Sequence, residues 1–540
     1  PIWAQEQSRP PALPPHLLPN TSMNVSTPGG SMQATPTAKL GGWSYGVVTA
    51  NLREALSEAL GPELVLSAVE ELEARKADWG MLHGEAIPEL VVTPESVEQC
   101  VAVVQLCARE HVPIVPRGAG TGLEGGCVAY AGGVIVDMGK MLHYRLNETD
   151  MNVVVGPGWH KMALNKELNE KGLLFGPDPS SNPQVGGMAS TSSSGMSTLK
   201  YGTARENVVS MLVVTPEGKL LRTRQAVRKS STGYELNQLY LGSEGTLGLI
   251  VELTLKVHPL PSNRVGGVLA FDALQKAVEF VVAVRHRDVD LSNLVRVECL
   301  NAHGVEATNK KFQTDLEAMP TVFLELQGNR VEPLLEQLAL LEALASDHDV
   351  RSVLRASRGA DLDQLWEARR GCYQASMTYR GNKGERVLVG DVCVPLSALP
   401  QCVVETERDF ETQGFKCVMC CHIADGNFHV LPGFQSHEAS KLRGCEERMI
   451  QRAIALGGSA SGEHGVGVGK KAYMELEHGS EAMDVMRRIK CALDPHNIMN
   501  PGKVLDVAPR SPNAAGSPLD ASATSRSPAA PTSNEASSRL

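Results

Sequence analysis

A β-hairpin centred on Asp425-Gly426 is the strongest structural signal in the sequence. Asp-Gly between two short apolar runs supplies the positive φ that a two-residue turn needs. Pairing the strands outward from that turn sets Ala424 opposite Asn427 and His422 opposite His429. Opposed Cβ atoms lie roughly 5 Å apart, so the pairing predicts that both imidazoles can reach one metal ion.

A second segment, residues 461–465, can complete such a site. In this predicted turn, Glu463 and His464 lie between Gly462 and Gly465. Two histidines and one carboxylate with open positions are typical of a catalytic divalent metal, and His464 would then be a free base beside it. The alternative is that the two hairpin histidines simply cover a half-buried sheet face, and spacing alone leaves both interpretations open.

Length and composition narrow the class of protein. A chain of 540 residues needs two or three domains, and its 42% hydrophobic and 21% charged residues are ordinary for a globular protein. No run approaches the roughly 18 apolar residues of a membrane-spanning helix. A net charge of -10 with scattered basic residues argues against a nucleic-acid partner. Twelve cysteines without regular CxxC pairs indicate a reducing compartment rather than a disulfide framework.

The two ends differ from the rest of the chain. Residues 1–40 are rich in Pro, Ser and Thr and poor in acids, which predicts a disordered or targeting segment. Residues 506–540 are rich in Ser, Ala and Pro and are expected to be disordered. This tail ends in Ser538-Arg539-Leu540, a variant of a peroxisomal address or a chance tripeptide.

The first half of the chain contains two segments of very small residues. After a pair of helices predicted within residues 41–84, residues 117–126 form a glycine loop that returns to a strand, so a Rossmann finger is doubtful and a backbone nest for phosphate is favoured. Residues 185–195 allow close approach of backbone to a flat ligand, although a flexible linker has a similar composition. Pro259 and Pro261 mark a domain boundary, after which strands alternate with amphipathic helices.

Several of these motifs, taken in order, resemble one protein family. They are Pro116 to Leu123, Gly186-Gly187, Lys200 to Thr203, Gly242 to Gly248, the hairpin, Gly462 to Gly465 and Asn500 to Lys503. The resemblance extends from about residue 85 to residue 505. Over this range the chain is similar to the vanillyl-alcohol-oxidase/p-cresol-methylhydroxylase (PCMH) flavoproteins. Within that family it resembles the branch of FAD-linked D-lactate dehydrogenases, glycolate oxidase large subunits and D-2-hydroxyglutarate dehydrogenases.

The resemblance implies an α+β fold with a two-part PCMH-type FAD-binding domain at 85–262 and an α+β substrate domain at 263–505 that ends in a helical segment. It implies FAD, held without a covalent bond because the first loop has no histidine. The implied FAD-binding positions are Pro116, Arg117, Gly118, Ala119, Gly120, Thr121, Gly122, Leu123, Pro177, Gly186, Gly187, Ser194, Gly195, Tyr201, Gly202, Ile250 and Asn500.

The resemblance also assigns roles in the second domain. The metal ligands, for zinc or manganese, map onto His422, His429 and Glu463, the residues that hairpin geometry had already suggested. The general base maps onto His464, and the arginine that binds the substrate carboxylate maps onto Arg369. Cys421 and Ala424 stand where the family commonly has glycine.

The function implied is oxidation of a D-2-hydroxy acid, most consistent with D-lactate to pyruvate, with electrons passed to a cytochrome or a quinone-linked carrier. D-2-hydroxyglutarate and glycolate are the alternative substrates, although Val389 replaces the lysine expected for a dicarboxylate. Alkyl-dihydroxyacetone-phosphate synthase is a further alternative, disfavoured because it typically has a histidine run at residues 462–465. Resemblance to the family implies a mitochondrial location, whereas the C-terminal tripeptide would imply a peroxisome or microbody. A homodimer is possible on the sequence alone.

Overall fold

The computed structural model describes residues 37–80, 82–286, 292–356, 359–380 and 386–509. Most of the predicted leader and tail, including Ser538-Arg539-Leu540, therefore lies outside the described residues. One difference is visible at the leader's end, where Thr37–Leu40 forms a strand in a segment that composition predicted to be disordered. It pairs with Trp43–Gly46, and the 41–84 region holds this strand and the short strand Val65–Leu66 as well as the predicted helices.

The described chain is α+β, as predicted. Its strands are β1 Thr37–Leu40, β2 Trp43–Gly46, β3 Val65–Leu66, β4 Leu90–Val92, β5 Ile114–Arg117, β6 Val134–Asp137, β7 Tyr144–Asn147, β8 Asn152–Val155, β9 Leu173–Leu174, β10 Val208–Val214, β11 Leu220–Arg222, β12 Leu249–Lys256, β13 His258–Pro259, β14 Asn263–Phe271, β15 Leu294–Leu300, β16 Thr321–Gly328, β17 Val350–Ala356, β18 Arg386–Val387, β19 Gly390–Cys393, β20 Met419–His422, β21 Asn427–Val430 and β22 Gly433–Phe434. Its helices are α1 Ala50–Leu60, α2 Val69–Glu73, α3 Val97–Arg109, α4 Lys161–Asn169, α5 Val185–Ser190, α6 Thr198–Tyr201, α7 Ala204–Asn207, α8 Leu236–Tyr240, α9 Leu274–His286, α10 Ala302–Phe312, α11 Val331–Ser346, α12 Ala360–Arg370, α13 Cys372–Tyr379, α14 Leu399–Thr412, α15 Ala439–Ala455, α16 Met474–His478 and α17 Ser480–Leu493.

The first half of the chain builds two principal sheets. One has the order β3-β4-β6-β5, with β4 and β5 parallel to β6, and the other is antiparallel with the order β11-β10-β12-β8-β7. Helix α1 covers the first sheet because Thr49 caps its start and Leu52, Leu56 and Leu60 fall on one face at helical spacing. This half presents its glycine-rich turns toward the second half of the chain.

The second half is organised around a seven-stranded antiparallel sheet with the order β17-β14-β16-β15-β20-β21-β19. Helices α9, α11, α14 and α15 contribute to a large apolar core with this sheet. Helices α10, α12 and α13 belong to a second cluster that includes Leu300, Phe323 and Cys420. Because both clusters draw on the same strands, the β20–β21 hairpin is held deep inside the molecule.

The chain ends by returning to the first half. Ile114 donates its amide to the carbonyl of Ile498 at 2.8 Å, and Asn500 donates its own to the carbonyl of Ile114 at 2.8 Å. Lys490, on the last helix α17, donates to the carbonyls of Thr246 and Met499. The last described segment thus ties the end of the second half to the first sheet. Among the described helices, none is both long enough and apolar enough to cross a membrane.

Candidate active site

The hairpin forms at the predicted place but with a different register. Its loop is a turn of 3-10 helix, Ile423–Asp425, closed by Gly426 with φ of +80°, so that His422 pairs with Asn427 and Cys420 with His429. The prediction that His422 lies opposite His429 is therefore wrong by two residues. A shift of two keeps every side chain on its face, and the histidines become diagonal neighbours, still within reach of each other. Their ring centroids lie 5.3 Å apart.

Glu463 joins the two histidines. Its Oε1 lies 3.2 Å from His422 Nε2 and 3.1 Å from His429 Nε2, and its Oε2 accepts a 2.6 Å hydrogen bond from the hydroxyl of Ser194. Ligands that each sit about 2 Å from a cation lie roughly 3 Å from one another. The structure therefore brings the three predicted metal ligands together at spacings that suit one divalent cation.

The surroundings of these ligands also suit a cation. Glu298 accepts from His422 Nδ1 at 2.9 Å, which fixes the ring with Nε2 toward Glu463. Burial alone would lower the pKa of His422, but Glu298 and Glu463 together raise it well above its usual value. The site thus favours a positive charge, and a carboxylate behind a metal-binding histidine is the usual supporting arrangement.

His464 lies beside the ligands and faces the cavity. Its ring stacks on that of His429, with centroids 4.9 Å apart and an interplanar angle of 13°. Burial lowers the pKa of His464, and Asp391 only partly opposes this. A ring that is neutral at neutral pH can accept a proton, as a general base must.

Asp391 on β19 organises the same corner. One of its oxygens, Oδ2, accepts from the amides of Gly462, Glu463 and His464 at 2.8, 3.0 and 3.2 Å. Asp391, His429 and His464 also form a group with metal-binding spacing. Because Oδ2 is already surrounded by donors, we interpret Asp391 as a support for the loop and not as a metal ligand.

A cavity of about 1640 Å³ adjoins this cluster. It exceeds the roughly 300–1,000 Å³ of pockets for drug-sized ligands, and a dinucleotide is a suitable occupant. Gly187 shows where the ligand space begins, since a Cβ at that position would meet nothing within 4 Å. The wall formed by the two glycine segments therefore fits a large, flat group such as FAD.

The predicted FAD-binding residues fall into two sets. Those that line the cavity are Pro116, Arg117, Gly118, Ala119, Gly120, Thr121, Gly122, Leu123, Gly186, Gly187, Tyr201 and Ile250. Those that do not line it are Pro177, Ser194, Gly195, Gly202 and Asn500. Ser194 contacts Glu463, and Asn500 donates to the carbonyls of Gly126 and Glu244. Flavin contacts at all of these positions stay predictions.

Arg369 is not among the residues that line the cavity. Its side chain is 1% exposed, pairs with Glu298 and approaches the carbonyl of Cys421 at 3.4 Å. The next residue, Arg370, does line the cavity and donates to Asp178 at 2.8 Å. Contact between Arg369 and a substrate carboxylate stays a prediction, and it would require the guanidinium to turn away from Glu298.

Sequence reasoning missed three carboxylates that shape the site. Glu298 and Asp391 are the acids within the otherwise mainly apolar strands β15 and β19, and a charge in a buried strand is the signal that could have found them. Glu244 stands inside the Gly242–Gly248 motif, where nothing in the sequence indicates that its carboxylate accepts hydrogen bonds from the amides of Val466 and Gly467. Each supports a functional segment from behind.

Comparisons with known proteins agree with this architecture. Residues 88–224 match the family model described as an FAD binding domain, and residues 260–504 match the model of the C-terminal domain of FAD linked oxidases. A protein named probable mitochondrial D-lactate dehydrogenase from Danio rerio is 37% identical over 82% of this chain and 88% of its own length. The chain therefore belongs to the vanillyl-alcohol-oxidase/PCMH flavoprotein family. The predicted family and its FAD-linked dehydrogenase branch are confirmed.

Other relatives lie in the same branch. The mitochondrial D-lactate dehydrogenase (cytochrome) of Arabidopsis thaliana is 36% identical over 78% of this chain and 74% of its own length. A D-2-hydroxyglutarate dehydrogenase of Stutzerimonas stutzeri is 30% identical over 84% of this chain and 98% of its own. This flavoprotein is accordingly an FAD-dependent oxidoreductase.

Solved structures show the same fold at low identity. A substrate-bound p-cresol methylhydroxylase aligns with a TM-score of 0.68 at 18% identity, covering 85% of this chain and 98% of its own. An alkyldihydroxyacetonephosphate synthase aligns with a TM-score of 0.66 at 20% identity, covering 84% of this chain and 86% of its own. These likenesses confirm the predicted two-part architecture.

Proposed function

We propose that this flavoprotein oxidises a D-2-hydroxy acid, D-lactate to pyruvate, with non-covalent FAD and one divalent cation, zinc or manganese. The observation that carries the proposal is the joining of His422, His429 and Glu463 beside His464, at the edge of the glycine-lined cavity. The relatives that are named D-lactate dehydrogenases support the substrate. They also support a cytochrome-type acceptor and a mitochondrial location.

The first chemical step is removal of the proton from the substrate hydroxyl, and the residues around the cation site carry it out. His422, His429 and Glu463 would hold the divalent cation, which would supply Lewis acidity that makes the substrate hydroxyl easier to deprotonate. His464 receives that proton, because its ring is buried, neutral and stacked directly on the ligand His429. Asp391 keeps His464 in place by accepting a hydrogen bond from its backbone amide.

The cavity wall orients the substrate for oxidation. FAD supplies the hydride acceptor, and the protein contributes the alignment of the substrate Cα with it. Leu123 and the glycines around it leave room for the cofactor without offering a histidine for covalent attachment.

The wall next to the ligands favours a monocarboxylate. Val389, Leu431, Cys372 and Cys420 line the cavity together with His429, and all four belong to or pack against one apolar cluster. A second carboxylate placed against these four side chains would lose its hydration, and two cations elsewhere in the lining, Arg296 and Arg370, already pair with Asp178. This supports D-lactate over D-2-hydroxyglutarate, whose distal carboxylate needs a cationic partner.

Anaerobic mixing with D-lactate tests the proposal. We expect purified wild-type protein to lose its oxidised-flavin absorbance, and His464→Ala to keep bound flavin but reduce it on the order of 10²–10⁴ times more slowly. His303→Ala, a change in the same half of the chain away from the cavity, should behave as wild type. A wild-type flavin that D-lactate leaves oxidised would refute the substrate, and normal reduction in His464→Ala would refute the base.

A further inference from the structure

One loop, residues 461–470, carries both a metal ligand and the base, and we call it the bridging loop. Its sequence has glycines at 462, 465, 467 and 469, so it offers little packing of its own. Its position must come from the groups that surround it. Those groups belong to both halves of the chain.

The start of the bridging loop is held from the second half. Asp391 on β19 accepts from three consecutive amides, those of Gly462, Glu463 and His464. Lys470, at the end of the loop, donates to the carbonyl of Asp391 at 2.6 Å. This anchor fixes the loop to the sheet that carries the two histidines.

The middle of the bridging loop is held from the first half. The two carboxylate oxygens of Glu244 accept from the amides of Val466 at 2.6 Å and Gly467 at 2.9 Å. The carbonyl of Glu124 accepts from the amide of Val468 at 2.8 Å. These contacts join the loop to segments that also line the flavin cavity.

The close approach leaves no room for side chains. A Cβ on Gly465 would lie 2.9 Å from Glu244 Oε1, and one on Gly467 would lie 2.0 Å from the carbonyl oxygen of Glu124. Both glycines also have positive φ, of +80° and +48°, which other residues adopt at a cost. The glycine spacing is therefore explained by contact with the two glutamates.

Glu244 also belongs to the wall of the flavin cavity. Its amide donates to the carbonyl of Ser190 at 2.9 Å, next to the glycine segment Gly186-Gly187, and its own carbonyl accepts from Asn500 at 2.6 Å. Glu244 and Gly245 both line the cavity. A ligand that orders this wall must also fix the side chain that holds Val466 and Gly467.

We propose that Glu244 is a positioning residue that couples the flavin site to the metal site. Occupation of the cavity by FAD fixes Glu244, Glu244 fixes the bridging loop, and the loop then presents Glu463 to the cation. Since coupling between two sites is reciprocal, the cation raises the affinity for FAD by the same factor. The inference rests on the FAD and the cation of the proposed function.

A thermodynamic cycle tests the coupling without measuring activity. Zn²⁺ and Mn²⁺ affinities are determined by competition with a chelator, on flavin-free and on FAD-loaded protein. We expect FAD to tighten binding of the metal about tenfold in the wild type, within the roughly 5–150-fold typical of coupled sites. Glu244→Gln replaces one acceptor oxygen with an amino group facing the loop amides, and its coupling factor should fall toward one.

Controls separate this inference from the proposed function. Glu252→Gln, the same substitution on β12 where the side chain pairs with Arg222, should keep the wild-type factor. Equal metal affinities of wild-type protein with and without FAD, or full coupling in Glu244→Gln, would overturn the inference while both ligands still bind. Wild-type protein that binds no metal at all would instead overturn the proposed function. If Glu244→Gln does not fold, the wild-type cycle and Glu244→Asp decide the matter.

Discussion

Two adjacent arginines at the end of α12 face different surroundings. Arg369 is buried against Glu298, which holds His422, whereas Arg370 lines the cavity. Because Arg370 lines the cavity, we predict that it binds the substrate carboxylate equally in the ground state and the transition state. We therefore expect Arg370→Gln to raise the KM for D-lactate roughly tenfold with little change in kcat. Steady-state kinetics with D-lactate measures this.

The matched change at the neighbouring position should act differently. Arg369→Gln leaves Glu298 without its guanidinium partner while His422 still contacts it. We expect metal affinity to fall about 10–100-fold, as for other groups behind a ligand, along with a lower Tm. Chelator competition and thermal unfolding provide the two measurements. A higher KM in Arg369→Gln with unchanged metal affinity would instead assign the carboxylate contact to Arg369.

The side chains of the proposed catalytic and metal site were easier to predict than the residues that hold them. His422, His429, Glu463 and His464 stand in short motifs whose residue types are chemically restrictive, and the structure brings them together. Glu298 and Asp391 approach them from strands distant in sequence. Only the order of strands in the sheet makes them neighbours, and no local pattern contains that order.

At the scale of elements, the hairpin shows which part of a local prediction is robust. Asp425-Gly426 correctly predicted a turn, but the loop takes two more residues than an Asp-Gly turn requires, because a turn of 3-10 helix precedes Gly426. Turn length sets the register, whereas alternation sets the face. The site survived the error because a shift of two residues conserves the face.

The glycine segment on α5 offers a test of the cavity as the flavin site. A side chain on Gly187 would extend into open cavity space, since its Cβ meets nothing within 4 Å. We expect Gly187→Leu to fold normally but to purify with at least tenfold less bound flavin, because the leucine occupies ligand volume and leaves the core unchanged. Flavin absorbance per chain and circular dichroism are the measurements.

A helical glycine elsewhere provides the control for that variant. Gly444 lies on α15, where a Cβ would meet only the end of the Arg448 side chain at 3.5 Å. Gly444→Leu should retain wild-type flavin content. A Gly187→Leu protein that is fully loaded with flavin would show that the cofactor lies elsewhere in the molecule.

For the molecule as a whole, the final described segment joins the two halves. Asn500 is 1% exposed and gives its amide hydrogens to the carbonyls of Gly126 and Glu244. Asn500→Ala leaves both carbonyls without this hydrogen-bond donor and places alanine at a φ of +43°. We therefore expect a loss of about 2–5 kcal/mol in the free energy of unfolding. Asn147→Ala, at an exposed position whose side-chain amide bonds to Asp150, should cost far less.

Because the final described segment ties both halves together, flavin release and loss of circular dichroism should occur over the same range of urea concentration, as one transition. Flavin release that precedes the loss of secondary structure in wild-type protein would contradict this, and would mean that the halves unfold separately.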